Sequence, residues 1–513
     1  MSSPFDYLSR RRSSMAQDLS SLPTALYTQQ QVRAAELLAV SEGETTLYQL
    51  VERAGRAAFE CFTQQRERHP QLEGMPLLVL AGSGNNGADA LVCACLALEA
   101  GHQVKVYLLK TQGTAEFEQA LSAYLNQGGV IDSPNIEAIQ QAPVIIDGLL
   151  GTGVKGAVRE DIAALIHAVN QSDAWVLSLD LPSGIVADTG VAAQVAVMAD
   201  VTLCFGGLKQ GLLTSKARHH CGHLTFADLG LTPFFDAESA TRVGGEMLKS
   251  HFAARARDSH KGQSGKVTLI GGDFGMAGAI RLASEACLRA GAGLVTVISR
   301  PEHQLTVNVS RPELMFWGCE LVDMEVYLRL GWAQVVVLGP GLGKHDWGYN
   351  LFKAAGLSDK PCVLDADALN LLSQEPRRQT NWVLTPHPGE AARLLGCSVA
   401  DIEQDRFAAV RALQQKYGGV VLLKGAGTVI FDGKQMVVAP VGNPGLASGG
   451  CGDVLSGIIG ALMAQGMDNM QATVVGVVVH GCAADLAAVQ GERGMLASDL
   501  MPFIRQLVNS DLL

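Results

Sequence analysis

Residues 442–457 read GNPGLASGGCGDVLSG, an almost uncharged coil that runs into an apolar helix and carries the carboxylate of Asp453 at the junction. Gly449, Gly450 and Gly452 have no Cβ atom, so their amide N–H groups can converge on one point. The helix adds free N–H groups and the positive end of its dipole. The stretch therefore predicts an anion-binding loop with Asp453 beside it, and the alternative is that Asp453 only caps the helix.

The composition indicates two large α/β domains. The chain has 513 residues, of which 48% are hydrophobic, 5% are aromatic and 57 are glycine, as is typical of many strand-to-helix turns. The net charge of −11 argues against a nucleic acid or an anionic membrane as partner. Eleven scattered cysteines, and the lack of an apolar segment after Arg10-Arg11-Arg12, predict a cytoplasmic location. Residues 472–489 are apolar but contain His480 and Asp485, which favours a buried helix over a membrane span.

Polar residues follow three apolar strands that are predicted in the first half. Strands over residues 77–80, 144–146 and 176–179 lead into GSGNNGADA (82–90), DGLLGTG (147–153) and DLPSG (180–184), and the first loop leads into a helix over 91–100. The carboxyl ends of parallel strands share one edge of a sheet, where ligands bind. We therefore expect convergence there of Asn86, Asp147, Asp180 and Ser183. Turn capping by each Asp or Ser separately is the alternative.

The first of these loops also fits the pattern G-x-G-x-x-G. That pattern belongs to dinucleotide-binding folds, in which an acidic residue about 20 positions further on holds the ribose. Residues 104–110 contain no acid. The sequence therefore disfavours an ordinary NAD-dependent dehydrogenase.

Together, these three loops resemble those of the NAD(P)H-hydrate epimerase domain, over residues 25–228. The resemblance implies a Rossmann-like doubly wound sheet in a domain of residues 1–228. It implies that Asp180 lies beside the reacting ring and that K⁺ is bound by Asn86, Asp147 and Ser183. The other substrate-binding residues that it implies are Asn85, Asn86, Gly87, Ala88, Asp89, Gly151, Thr152, Gly153, Val154, Lys155, Gly156 and Ala157.

One departure from the epimerase pattern concerns glycine. The family usually has Gly-Gly-Asp-Gly where this chain has Gly87-Ala88-Asp89-Ala90. Alanine disfavours positive φ and adds a methyl group. If either position needs that freedom, the epimerase is expected to be weakened.

The second half begins after residues 228–242, which have no regular period and contain Pro233 and mixed charge. Strands predicted over residues 335–338, 362–364, 382–384 and 420–423 each deliver a polar or glycine-rich loop. These loops are GPGLG (339–343), DADALN (365–370), TPHPGE (385–390) and KGAGT (424–428). Continuous apolar strands of this kind are typical of a buried parallel sheet.

With the loop at 442–457, these motifs resemble the ADP/ATP-dependent NAD(P)H-hydrate dehydratases, over residues 245–508. The resemblance implies a ribokinase-like α/β domain of residues 242–513. It implies that the hydrated nicotinamide substrate is contacted by Ala277, Gly341, His387 and Asp453. It implies that ADP, or alternatively ATP with Mg²⁺ as a further candidate, is bound by Lys424, Gly425, Ala426, Gly427, Thr428 and Gly452. Asp273 and Met276 replace residues common in the family, so the sequence leaves the nucleotide preference open.

The combined interpretation is a bifunctional enzyme that repairs hydrated NADH and NADPH, with small-molecule partners and a homo-oligomeric assembly. One domain interconverts the R and S hydrates, and the other dehydrates the S form while it consumes ADP. Asp453 is the expected general base, which lets the ring hydroxyl attack the terminal phosphoryl group. A ribokinase-like small-molecule kinase and a nucleotide-binding sensor are the alternatives.

Overall fold

The computed structural model describes residues 19–154, 156–252, 254–309 and 311–509. The chain divides into two compact units, Met1–Ala240 and Thr241–Leu513. Both units are α/β with largely parallel sheets, which confirms the predicted fold class.

The first unit is built around a parallel sheet with the strand order β4-β3-β2-β5-β6-β7-β8. Its strands are β1 (Ala25–Leu26), β2 (Leu77–Ala81), β3 (Val104–Leu108), β4 (Ile131–Asp132), β5 (Val144–Gly148), β6 (Trp175–Leu179), β7 (Val201–Phe205) and β8 (His223–Ala227). Its helices are α1 (Gln29–Ser41), α2 (Leu47–Arg68), α3 (Asn85–Glu99), α4 (Ala115–Asn126), α5 (Ile136–Gln141), α6 (Glu160–Gln171) and α7 (Ala217–His220).

The strand order of the first unit creates a crevice at one edge of the sheet. From β2 the chain runs outward through β3 and β4, and then returns to the other side of β2 as β5. Strands β2, β5 and β7 are buried along their whole length, as expected for parallel strands covered on both faces. In doubly wound sheets, ligands bind beyond the carboxyl ends of the strands where the order reverses, which here is between β2 and β5.

The second unit contains a larger sheet with the order β9-β18-β17-β16-β15-β14-β13-β10-β11-β12. Its strands are β9 (Ala240–Arg242), β10 (Lys266–Ile270), β11 (Leu294–Ser299), β12 (Met315–Gly318), β13 (Val335–Leu338), β14 (Cys362–Leu364), β15 (Trp382–Leu384), β16 (Val420–Leu423), β17 (Thr428–Phe431) and β18 (Met436–Ala439). Its helices are α8 (Ala277–Arg289), α9 (Gln304–Asn308), α10 (Met324–Trp332), α11 (Asp346–Gly356), α12 (Asp367–Gln374), α13 (Pro388–Leu395), α14 (Val399–Gln404), α15 (Arg406–Tyr417), α16 (Cys451–Ala464), α17 (Asn469–Ala487) and α18 (Met501–Leu507).

Two apolar helices form the core of the second unit. Helix α16 is buried from Val454 to Ala464, and α17 packs beside it with buried residues on every face. By length and composition the segment Asn469–Gln490 would span a membrane, but 72% of its most apolar window is buried inside the protein. It is a core helix, as the interruptions at His480 and Asp485 predicted.

The structure corrects one predicted helix boundary. Helix α3 begins at Asn85 and not at residue 91, so the residues Asn85 to Ala90 are helical and not loop. Gly84 precedes the helix in an extended conformation, which allows the helix to start directly after it. Helix α16 begins at Cys451, so Asp453 lies within its first turn. The predicted site residues 85–89 and 452–453 therefore lie in the N-terminal turns of helices.

Candidate active sites

A cavity of about 740 Å³ lies at the predicted edge of the first unit. It is lined by the residues that follow β2 and β5, and by Asp180 and Phe205 at the ends of β6 and β7. The predicted residues that line it are Asn85, Asn86, Gly87, Asp89, Gly151, Thr152, Gly153, Val154, Ala157 and Asp180. Ala88 and Gly156 are outside this lining, and Lys155 lies outside the described residues.

The two alanines that depart from the epimerase pattern do not require the freedom of glycine. Ala88 and Ala90 lie in helix α3, and neither has a positive φ. Both are fully buried, and their methyl groups are not part of the cavity lining. The structure therefore gives no conformational reason for these alanines to weaken the first site.

Asp147 is the centre of a buried polar cluster at the end of β5. Its Oδ1 accepts a hydrogen bond from Ser183 Oγ at 2.5 Å, and its Oδ2 accepts from Ser178 Oγ at 2.8 Å and from the Ser183 N–H at 2.9 Å. Burial raises the pKa of the Asp147 carboxyl, and these hydrogen bonds oppose that increase. Three of the four residues predicted to converge here, Asp147, Ser183 and Asn86, are joined directly or through Leu150.

Asn86 supplies an oxygen that lacks a protein partner. Its Nδ2 donates to the Leu150 carbonyl at 2.9 Å, whereas its buried Oδ1 has no hydrogen-bond partner among the described residues. An unsatisfied buried oxygen is costly unless a ligand occupies it. Together with the Asp147 carboxylate and the Ser183 hydroxyl, it forms the all-oxygen set that a hard cation prefers. The residues present therefore fit the predicted K⁺.

Asp180 pairs with a buried lysine to which the sequence analysis assigned no role. Asp180 follows β6 with a φ of 64°, and its Oδ1 accepts hydrogen bonds from Lys209 Nζ and, at 3.1 Å, from the Phe205 N–H. The side chain of Lys209 is 2% exposed. A lysine that follows a buried strand and glycines, as in Phe205-Gly206-Gly207-Leu208-Lys209, is the signal that could have identified it.

In the second unit, the ends of three neighbouring strands meet at Asp365. Its Oδ1 accepts from Lys424 Nζ at 2.9 Å and from Thr385 Oγ1 at 2.8 Å. Its Oδ2 accepts from Ser456 Oγ of helix α16 at 2.6 Å. Burial opposes the ionisation of Asp365, but Lys424 and the two hydroxyls outweigh it and lower the pKa of the carboxyl. Asp365 begins the loop DADALN, and the sequence patterns assign no role to it.

Asp453, in the first turn of α16, lies close to the charged groups of Asp365 and Lys424. Burial, and then the neighbouring Asp365, raise the pKa of Asp453 to about 7, although Lys424 acts in the opposite direction. Burial also raises the pKa of Glu390 to about 7. A Cβ atom placed on Gly452 would lie 3.2 Å from Lys424 Nζ. The structure thus brings together the predicted residues Gly452, Asp453 and Lys424.

The capping alternative for Asp453 does not fit the helix start. The N-cap residue of α16 is Gly450, with a φ of 90°, and no side chain caps the helix. Asp453 is the third helical residue, where capping would require a hydrogen bond back to the N-cap N–H. The first-turn N–H groups of α16 are therefore not capped by a side chain, as an anion-binding helix start requires.

His387 is the N-cap of helix α13, beside Glu390. Its Nδ1 accepts from the Gly389 N–H at 3.0 Å, and its Nε2 lies 3.4 Å from Glu390 Oε1. Burial, followed by the charge of Lys424, lowers the pKa of the imidazole. A neutral ring that accepts at Nδ1 carries its proton on Nε2. His387 is half exposed, so this donor is accessible to a ligand.

The remaining predicted residues lie on two further loops. Gly341, with a φ of 58°, packs against Met276, the residue before Ala277 at the start of α8. The segment that was predicted to bind the nucleotide forms the turn between β16 and β17, in which Arg406 donates to the carbonyls of Leu423 and Lys424. In that turn Gly425 and Ala426 are exposed, Gly427 is buried with a φ of 68°, and Thr428 begins β17. Lys424 to Thr428 thus lie together, as their sequence adjacency requires.

The comparisons with known proteins cover both units. Residues 267–506 match the family model described as NAD(P)H-hydrate dehydratase, and residues 47–211 match the model described as YjeF-related protein N-terminus. The chain is 46% identical over 498 residues to the bifunctional NAD(P)H-hydrate repair enzyme Nnr of Coxiella burnetii, covering 95% of this chain and 100% of that protein. It is 45% identical over 497 residues to the enzyme of the same name from Escherichia coli strain K12, covering 96% and 95%.

Solved structures are similar to part of the chain. A ribokinase-like superfamily protein from Enterococcus faecalis V583 is 30% identical with a TM-score of 0.49, covering 52% of this chain and 95% of that one. The ADP/ATP-dependent NAD(P)H-hydrate dehydratase from Bacillus subtilis, co-crystallised with ATP/Mg²⁺, is 26% identical with a TM-score of 0.46, covering 51% and 95%. The near full-length identity to the curated relatives decides the assignment: the chain belongs to the family of bifunctional NAD(P)H-hydrate repair enzymes.

Proposed function

We propose that the second unit dehydrates the S form of hydrated NADH and NADPH at Asp453, and that ADP is consumed in the reaction. The observation that carries this proposal is the Asp453 carboxylate itself. It does not cap its helix, its pKa is raised to about 7, and it lies in the first turn of a helix next to Lys424. A base whose pKa is near neutral is suited to remove a proton from a hydroxyl at physiological pH.

In the proposed reaction, Asp453 accepts the proton of the ring hydroxyl while the hydroxyl oxygen attacks the terminal phosphorus of ADP. The bond between that phosphorus and the bridging oxygen breaks, and AMP leaves. The N–H groups at the start of α16 and the ammonium of Lys424 stabilise the charge that develops on the phosphoryl oxygens. Loss of phosphate from the ring and of a proton from the adjacent ring carbon then restores the dihydronicotinamide.

The nucleotide is assigned to the turn Lys424–Thr428 and Gly452, and the hydrated ring to Ala277, Gly341, His387 and Asp453. Support comes from the position of Gly452 beside Lys424 and from the Nε2 donor of His387 at the same site. ATP in place of ADP, and Mg²⁺ on the nucleotide phosphates, belong to the same proposal. Mg²⁺ would neutralise phosphate charge and prefers oxygen ligands.

The first unit, in this proposal, interconverts the R and S hydrates in the cavity beside Asp180. K⁺ would be held by Asn86, Asp147 and Ser183, where its charge offsets that of the buried carboxylate. The unpartnered Asn86 Oδ1 supports this assignment. The proposed domains are residues 1–228 and 242–513. A cytoplasmic location and a homo-oligomeric assembly stay predictions.

The test uses the full-length protein with a mixture of R and S hydrates, with and without ADP. Recovery of the reduced-nicotinamide absorbance and release of AMP and phosphate are measured together. We expect both hydrates to be consumed completely with ADP and neither to be consumed without it. A stable phosphorylated product, with no recovery of absorbance, would instead identify a small-molecule kinase.

A further inference from the structure

Three of the charged side chains that line the cavity of the first unit are largely shielded from solvent. Asp180 and Lys209 follow β6 and β7, and Asp89 lies in the second turn of helix α3. Asp89 is 8% exposed and Lys209 is 2% exposed, and the side chain of Asp180 is 14% exposed. Of the two carboxyls, Asp180 is the one that pairs with the lysine.

Lys209 forms an ion pair with Asp180. Its Nζ donates to Asp180 Oδ1, and it also donates to the Phe205 carbonyl at 2.7 Å. The Phe205 N–H donates to the same Asp180 oxygen at 3.1 Å. An ammonium and a backbone N–H on one oxygen fix the orientation of the carboxylate. The other oxygen of Asp180 can therefore be presented to a ligand in the cavity.

Asp89 differs from Asp180 in that negative charges dominate its surroundings. Burial raises the pKa of its carboxyl well above the ordinary range, and the negative charges of Asp180 and Glu36 raise it further. Lys209 acts in the other direction but does not outweigh these effects. The carboxyl of Asp89 therefore keeps its proton to a higher pH than an ordinary aspartic acid, and it can donate that proton. A carboxyl that keeps its proton and a carboxylate paired with a cation can act in one cavity as acid and base.

We propose that Lys209 is the positioning residue of the epimerase, because it makes Asp180 the general base and leaves Asp89 as the general acid. This inference rests on the proposed epimerase function and adds the division of roles. Neither the sequence patterns nor the family comparisons assign a role to Lys209. Asp180 and Asp89 line the cavity and would contact the substrate, whereas Lys209 acts through Asp180.

The reaction needs both roles and no change of oxidation state. The hydroxyl of the hydrate is on the ring carbon bonded to the ring nitrogen. Asp180 accepts the hydroxyl proton as the carbon–nitrogen bond breaks, which forms an aldehyde, and Asp89 gives its proton to the nitrogen. Rotation about the adjacent carbon–carbon bond exposes the other face of the aldehyde. Ring closure then returns the nitrogen proton to Asp89 and the Asp180 proton to the oxygen, with inverted configuration.

The remaining charged groups of the cavity do not offer the same pairing. The charged side chains among its described lining residues are Arg33, Glu36, Asp89, Lys110, Arg159, Asp180 and Lys209. Arg33 pairs with Glu36, and Arg159 pairs with Asp161, and both pairs are on partly exposed side chains. Cys204 lies beside Lys209, but burial raises the pKa of its thiol to about 11, so it stays neutral.

The test measures epimerisation directly, as the conversion of purified R hydrate to S hydrate without ADP. Chromatography gives the rate of conversion at a series of pH values. The wild type is expected to show a basic limb, in which the rate falls at high pH as Asp89 loses its proton. Lys209→Met removes the ammonium that donates to Asp180 Oδ1, so it should lower kcat by about 10²-fold or more while KM changes little. Lys209→Arg, which keeps the charge, should lower kcat much less.

Asp89→Asn is the second variant, because it leaves the ion pair of Asp180 and Lys209 in place. It should remove the basic limb and lower kcat by about 10²- to 10⁴-fold. A kcat that stays near that of the wild type in Lys209→Met would overturn the proposal, and so would a basic limb retained in Asp89→Asn. Failure of the proposed function would look different, because then the wild type itself would not accelerate conversion of the R hydrate.

Discussion

Lys424 Nζ lies 2.9 Å from Asp365 Oδ1, and the pair joins the ends of β16 and β14 across the intervening strand β15. Thr385, at the end of β15, donates to the same oxygen, and Ser456 of helix α16 donates to the other. This network holds the Lys424 ammonium beside the first turn of α16. A cation fixed there is suited to bind phosphate groups, as the proposed nucleotide site requires.

The first prediction concerns the space between Lys424 and the helix. In Gly452→Ala the added methyl group would lie 3.2 Å from Lys424 Nζ, so it would obstruct an anion that bridges the ammonium and the helix start. We expect ADP affinity to fall by about tenfold or more, which is at least about 1.4 kcal/mol, measured by calorimetric titration. Thermal stability should be unchanged or higher, because alanine favours helix over glycine by about 1 kcal/mol.

Gly331→Ala, in helix α10, is the matched control for this substitution. A Cβ atom at Gly331 would have no heavy atom within 4 Å, and its φ is not positive. Its ADP affinity should therefore stay near that of the wild type. Equal losses of affinity in the two variants would argue against a specific contact at Gly452.

The second prediction concerns the role of Asp453. Asparagine keeps the size of the side chain but cannot take a proton, so Asp453→Asn should lower ADP-dependent dehydration by about 10²- to 10⁴-fold. ADP binding and R-to-S conversion should persist. Asp468→Asn is the control, because Asp468 is a true N-cap that accepts from the Gln471 N–H at 2.8 Å. It should lose only a few tenths of a kcal/mol and keep its activity.

The third prediction is the pH dependence of dehydration. The pKa values of Asp453 and Glu390 are both raised to about 7, first by burial, and the two carboxyls influence each other. The base must be ionised, so kcat/KM should fall as the pH decreases through about 7. This fall in kcat/KM reports the combined ionisation of Asp453 and Glu390, because the two carboxyls interact. A profile flat from pH 5 to 8 would remove Asp453 as the base.

The same carboxyls affect stability with a defined sign. Their pKa values are raised in the folded state, so protonated Asp453 and Glu390 favour the fold below the ordinary carboxyl range. This contribution is lost as the pH rises through about 7. We expect the pH-dependent decrease in the free energy of unfolding of the second unit between pH 5 and 8 to be smaller in Glu390→Gln, as measured by urea unfolding.

The fourth prediction concerns potassium and the first unit. Asp147→Asn removes the charge of the predicted K⁺ site, so the K⁺ concentration needed for half-maximal epimerisation should rise by about tenfold or more, because contacts to charged groups are worth about 1.5–3 kcal/mol. Asp200→Asn is the control, because Asp200 accepts from the Val176 N–H at the opposite end of β6. Equal wild-type rates in potassium and in a bulky organic cation would contradict a K⁺ site.

The fifth prediction concerns the independence of the second unit. The chain divides between Ala240 and Thr241, and the proposed dehydratase residues all follow that point. A protein of residues 241–513 should therefore dehydrate the S hydrate with ADP, while R hydrate should be consumed only at its spontaneous rate of conversion. If this folded piece is inactive until residues 1–240 are added, the assignment of one reaction to each unit fails.

The sequence alone was sufficient for the fold class and for seven of the eighteen described strands. Continuous apolar runs such as 77–80 and 335–338 are typical of buried parallel strands, so each loop that follows was expected at the ligand-binding edge. The sequence also identified the glycine-rich start of α16, because glycines at 449, 450 and 452 allow backbone N–H groups to approach an anion. Local pattern was enough where the chemistry is contained in one contiguous stretch.

Only the tertiary structure determined which residues that are distant in sequence form ion pairs. Lys209 and Asp180 are 29 positions apart, and Lys424 and Asp365 are 59 apart, so no local pattern pairs them. The pKa of Asp453 depends on burial and on Asp365, Lys424 and Glu390, which reach it from other strands and helices. Coulomb energies depend on distance and on exclusion of water, and both are set only when the strands are assembled into a sheet. For that reason the sequence identified Asp180 and Asp453, and the fold determined which charges lie around each of them.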